Sequence, residues 1–299
     1  MKACKVISEE RDRVGESPVW SLGEQALYWV DIEAGTIRRC RPGSQTESWQ
    51  LPERVGCIAL ADDGRVIAAM ESGIAAVTLG EPGVLRVDWL ARIEHPAPRM
   101  RFNDGRCDAA GRLWVGTMVM DMSLASAAGG LYCLDERGLT GPYMSELITP
   151  NGLGFSPDHK TLYLSDSHPA VQKIWAFDFD LEAATLSNRR LFVDMTPLPG
   201  RPDGAAVDAA GNYWICGNDA GLVHCFSPAG SLLRSLALPF PKPSMCAFGG
   251  ADLATLFVTS IPPADPSQDG SGLSGLLCAL DPAAVGLPEP LFTRFPKTV

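Results

Sequence analysis

Short apolar runs alternate with turn residues along the whole chain. Stretches at 26–32, 113–117, 161–165, 212–216 and 255–259 are rich in β-branched and aromatic residues and have the length of a strand. The 30 glycines and 24 prolines are dispersed between such runs. This punctuation predicts an all-β chain with many tight turns, and no long helical periodicity competes with it.

Aligning the runs exposes a repeat. Each unit has a lead residue, an apolar stretch, a polar turn and then a strand such as LYWV (27–30), VIAA (66–69), LWVG (113–116), LYLS (162–165), YWIC (213–216) or LFVT (256–259). The lead residues are Glu16, Gly56, Asn103, Asn151, Asp203 and Ser244, spaced 40 to 52 residues apart. Repeats of about 40–50 residues with several strands each predict a β-propeller, here of six blades. A four-stranded blade cannot bury both faces alone, so the ring must close. The expected closure pairs residues 3–8 with residues 275–280. No linker or composition shift divides the chain, so residues 1–299 read as one domain.

In a propeller the first strand of each blade lines the central channel, so the lead residues converge. Four of the six carry a carboxylate or an amide. Asn-Gly and Asp-Gly are also ordinary turn dipeptides, but the hairpin turns of this repeat fall several residues further on, at Asp108 to Gly111 or Asp208 to Gly211 for example. Two carboxylates and two amides without His or Cys suit a hard divalent cation such as Ca²⁺, Mg²⁺ or Mn²⁺. Asp31 and Asp166 end equivalent strands and are expected to satisfy local backbone groups. None of His95, His159, His168 and His224 is paired at metal-ligand spacing.

Charge and composition narrow the partners. The chain has 299 residues, 46% hydrophobic and 20% charged, with a formal net charge of −10. That balance argues against nucleic acid or an anionic membrane as partner. No run of about 18 apolar residues occurs, and the first residues lack a signal-peptide core, so a cytoplasmic location is expected. The nine cysteines are scattered with no CxxC pair, which predicts reduced, buried thiols rather than disulfides or zinc.

The motifs GESPVW (15–20), LYWVDI (27–32), RFNDGRCDAAGRLWVGTM (101–118), NGLGFSPDHKTLYLSDS (151–167), RPDGAAVDAAGNYWI (201–215) and PSMCAFGG (243–250) go further. In order and spacing the chain resembles the senescence marker protein / gluconolactonase family, also called regucalcin-like, from Gly15 to about Ile261. The resemblance implies a six-bladed propeller that hydrolyses a sugar lactone with one divalent ion in its channel. Ca²⁺ is the first choice, with Zn²⁺, Mg²⁺ or Mn²⁺ as others. It implies Glu16, Asn151 and Asp203 as metal ligands, and Arg101 and Asn103 as substrate contacts, Asn103 also touching the metal directly or through water. An acidic residue beyond the G-T-M segment, set against sugar hydroxyls in some members, is best matched by Asp121, one methylene shorter than a Glu.

Lactone opening needs water to attack the carbonyl and charge to be stabilised on its oxygen. A divalent ion serves the second need, and Asp203 is the candidate base as well as ligand. No obligate protein partner is inferred. Two alternatives stay open at this level: a calcium-binding propeller without turnover, and a hydrolase of non-sugar lactones or organophosphate esters.

Overall fold

Six four-stranded antiparallel sheets follow one another around a ring. The computed structural model describes residues 4–297. The innermost strands of blades 1 to 6 are Gly15–Ser21, Val55–Leu60, Met100–Cys107, Pro150–Phe155, Arg201–Val207 and Pro243–Gly249. Blades 1 to 5 are meanders of consecutive strands. Blade 6 is completed from the other end of the chain: Lys5–Ser8 pairs antiparallel with Leu277–Leu280, with Lys5 opposite Ala279. The closure expected from the sequence is therefore present, although residue 3 lies outside the described residues.

The core is a ring of six apolar clusters, one at each contact between neighbouring blades. Tyr28, Ile37 and Trp49 of blade 1 meet Val55, Ile58 and Val66 of blade 2. The closing contact sets Trp20, Leu27 and Trp29 against Phe257 and Leu277, with the Trp20 and Phe257 rings stacked 5.5 Å apart. All nine cysteines are free, and eight are buried within this packing.

The Asp-x-x-Gly turns double as anchors for the core. Asp108 is fully buried. Its Oδ1 accepts the Ala110 and Arg112 amides at 2.9 and 3.1 Å. Its Oδ2 accepts Arg112 Nε at 2.7 Å and Trp114 Nε1 at 2.8 Å. Asp208 repeats the arrangement with Asn212 and Trp214. A carboxylate is needed because four donors converge on one side chain. We expect Asp108→Asn to lower stability by about 2 kcal/mol in urea unfolding, since charge-assisted bonds are lost in a dry site. Asp158→Asn, at the exposed turn of blade 4, should stay within about 0.5 kcal/mol.

After blade 6 the chain crosses the end of the ring that carries these turns. Residues 285–297 bridge Leu253, Ala209, Leu60, Gly111 and Glu136 through backbone hydrogen bonds. Phe292 is fully buried between blades 2 and 3. On this strap Glu289 pairs with Arg106 of blade 3, whose Nε and Nη2 donate to Leu153 O at 2.9 Å and Ala205 O at 2.7 Å. One arginine thus joins three innermost strands and the strap. A cavity of about 280 Å³ lies at this end, lined by Arg106, Phe155, His159, Pro288 and Glu289. No helix is long and apolar enough to cross a membrane among the described residues.

Candidate functional site

The lead residues lie at the opposite end, near the start of each innermost strand, where a shared irregularity aims them. Every innermost strand carries one extra residue relative to its partner. The register shifts fall between Glu16 and Val19, Val55 and Cys57, Phe102 and Gly105, Asn151 and Gly154, Pro202 and Ala205, and Pro243 and Cys246. A bulge of this kind re-aims side chains that a regular strand would alternate.

The six lead residues do not share one register, as the sequence alignment implied. Asn103, Asp203 and Ser244 sit inside their bulges, whereas Glu16 and Asn151 precede theirs by one residue. In those two blades the first bulge residue turns to positive φ, 49° at Ser17 and 62° at Gly152. A strand offset by one residue would present the wrong face; the left-handed turn accompanies that offset. At Gly152 a Cβ would also stand 2.4 Å from the Tyr213 hydroxyl. In blade 2 the lead residue is Gly56, where a Cβ would meet Phe102 O at 2.2 Å. Blade 2 therefore contributes no side chain. Ser244 turns to bond Gly15 O and Thr259, tying blade 6 to blade 1.

Four of the expected site residues form one hydrogen-bonded chain across blades 3, 4 and 5. Arg101 Nη1 donates to Asn103 Oδ1 at 2.6 Å. Asn103 Nδ2 donates to Asn151 Oδ1 at 2.9 Å. Asn151 Nδ2 donates to Asp203 Oδ1 and to Ser167 Oγ, both at 2.8 Å. Glu16 joins through charge rather than a bond. Burial pushes its carboxyl well above the usual range, and the Asp203 and Asp104 carboxylates push it further. Burial likewise raises Asp203 to about 7, against the Arg201 guanidinium and an Asn218 bond that pull it down. Asp104, raised by burial to about 6, accepts the Leu153 amide at 2.8 Å on Oδ2, while its Oδ1 accepts no hydrogen bond among the described residues.

Asp121 stands apart from this chain. It is exposed and caps the short 3-10 helix Met122–Leu124, accepting Ser123 N at 3.1 Å and Ser123 Oγ at 2.6 Å. That loop leans on blade 4, where His168 Nε2 meets Met122 O at 3.1 Å. His95 and His224 bond backbone oxygens outside the chain. Asp31 and Asp166 accept backbone N–H groups of their own blades, as expected.

Reading the sequence missed three contributors. Ser167 and Asn218 lie outside the innermost strands, so the lead-residue pattern does not pick them out. Arg201 had a signal: it stands two residues before Asp203, as Arg101 stands two before Asn103. Its Nε pairs with Asp219 at 2.6 Å and its Nη1 reaches Ser167 O at 3.2 Å.

The donor set suits a hard cation. Among the described residues neither Glu16 nor Asp203 has an ion-pair partner, and they are only 8% and 7% exposed. Buried carboxylates without a direct ion-pair partner are costly, and a divalent ion would relieve them. No three His, Cys, Asp or Glu side chains come together as a metal cage among the described residues. Two acids with amides between them are what the site offers.

Known proteins share this arrangement of strands. The chain is 37% identical to a 6-deoxy-6-sulfogluconolactonase of Pseudomonas putida, covering 97% of this chain and 99% of that one. It is 34% identical to a pentonolactonase of Haloferax volcanii, over 93% and 94%. Among solved structures, the regucalcin of Agrobacterium tumefaciens, described as a calcium-binding protein, superposes with a TM-score of 0.89 at 25% identity, covering 98% of each chain. Residues 14–262 match the profile described as the SMP-30/Gluconolactonase/LRE-like region, and the chain belongs to that family.

Proposed function

We propose that this protein hydrolyses a sugar lactone to its open-chain acid, with a divalent cation held by Glu16, Asn151 and Asp203. The observation that carries the reading is the bonded series Arg101–Asn103–Asn151–Asp203, set beside Glu16, which has no ion-pair partner among the described residues. The names of the two lactonase relatives support the substrate class. When bound, the cation supplies positive charge for the oxygen of the carbonyl under attack.

The chain's own groups do the rest. Arg101 spends Nη1 on Phe102 O and Asn103 Oδ1, leaving its other nitrogens to donate to the lactone and orient it. Asn103 is held by Pro150 O and Asn151, so its amide is fixed before substrate arrives. Asp203 accepts a proton from water as water adds to the carbonyl carbon. It returns that proton to the ring oxygen as the C–O bond breaks. Asp121, exposed on the loop that follows the strand Leu113–Val119, has its part in substrate choice.

The test is a panel of aldonolactones, read by acid release with a pH indicator. Metal-stripped protein should be inactive, and added Ca²⁺, Mg²⁺, Mn²⁺ or Zn²⁺ should restore hydrolysis of one or a few lactones. Silence across the panel with metal tightly bound would sink the lactonase reading. Full activity of stripped protein would sink the metal.

A further inference from the structure

Asp203 is held from two sides. Asn151 Nδ2 of blade 4 bonds its Oδ1 at 2.8 Å, and Asn218 Nδ2 of blade 5 bonds its Oδ2 at 2.5 Å. Asn218 ends the strand Tyr213–Asn218 and is 1% exposed. Two donors on different oxygens, from different blades, fix the plane of a carboxylate that a single donor would leave free to rotate.

The choice of amide at 218 has a physical reason. The bulges of blades 1, 4 and 5 skip Trp29, Leu164 and Cys216 on the second strand. Two residues beyond each stand Asp31, Asp166 and Asn218. Asp31 accepts the amides of Arg13 and Val14, and Asp166 those of Ile148 and Thr149. At the same position in blade 5, a carboxylate would lie against Asp203 with no donor between the two acids. An amide offers the donor. Its orientation follows from charge: Oδ1 faces the Arg201 guanidinium at 3.5 Å, so Nδ2 faces Asp203. Arg201 is itself set by Asp219, which also pairs with Lys242 at 3.3 Å.

We propose that Asn218 is a positioning residue that clamps Oδ2 of Asp203 and so sets the face the carboxylate presents to the cation. This rests on the metal reading above. Partners of metal-ligating carboxylates are worth about 10- to 100-fold in metal affinity or activity, and the same scale is expected here.

The experiment titrates metal-free parent, Asn218→Ala and Asn218→Ser with Mn²⁺ and with Ca²⁺ by calorimetry, beside lactone kinetics and thermal melting. Asn218→Ala should bind the ions about 10- to 100-fold more weakly. Its kcat should fall while KM for the lactone holds within about twofold. Asn218→Ser keeps a donor on a shorter arm and should fall between; it is read in the same way if the alanine variant does not fold. A role in packing alone would lower the melting temperature and leave metal affinity unchanged, and that result overturns the proposal. Should the parent bind neither ion, the metal reading fails and this inference with it. Should the parent bind and both variants match it, only this inference fails.

Discussion

Asp203→Asn should lose about 10³-fold in kcat/KM while the ring stays folded. The range follows from the loss of a proton acceptor within bonding reach, worth 10²- to 10⁴-fold, and the loss of a ligand adds to it. The amide has the same shape but a single acceptor oxygen, so it keeps one of the bonds from Asn151 and Asn218 and turns its own N–H groups toward the other donor. It also removes one of the charges that raise Glu16, which offsets the lost bond, so the metal-free variant should melt close to the parent. Kinetics on the best lactone of the panel and a melt in chelator check both halves. Parent-like turnover in this variant would end the role given to Asp203.

Glu289→Ala should cost about 3 kcal/mol of stability, measured by urea unfolding of metal-free protein. Arg106 and Glu289 are only 10% and 18% exposed in their side chains. Removing one partner leaves a guanidinium charge without its counter-ion, and such deletions cost about 3–5 kcal/mol. The lower end is expected because Leu153 O and Ala205 O still accept from Arg106. Glu289→Gln keeps an acceptor without the charge and should cost less. A loss under about 1 kcal/mol for the alanine variant would mean that the strap does not depend on this pair.

The blades were legible in the sequence because each repeats the same order of turn and apolar strand. Asp108 and Asp208 recur with the same spacing to Trp114 and Trp214 because the same buried bonds recur. The site was legible as a set of residues but not as a register. Glu16 and Asn151 align with Asn103 and Asp203 by motif, yet stand one residue away relative to the bulge. Only backbone geometry, the positive φ of Ser17 and Gly152, reveals the offset. Asn218 escaped notice because its contact to Asp203 crosses between two strands of one blade. The strap escaped because residues 285–297 carry neither the repeat nor an alternating pattern: they are shaped by the turns they cross.

The shared sixth blade has a consequence for how the protein is made. Its outer strand, Lys5–Ser8, leaves the ribosome before blades 1 to 5, and its partner Leu277–Leu280 follows them. Blades 1 to 5 can assemble in order as they emerge, each on the apolar face of the last. That strand must wait, its edge open, while the five blades between are made. Such open edges invite pairing with the wrong chain. Lys5 places a charge on this edge, which makes it less ready to pair with a foreign strand. The ring is locked only when strands made before and after five whole blades meet.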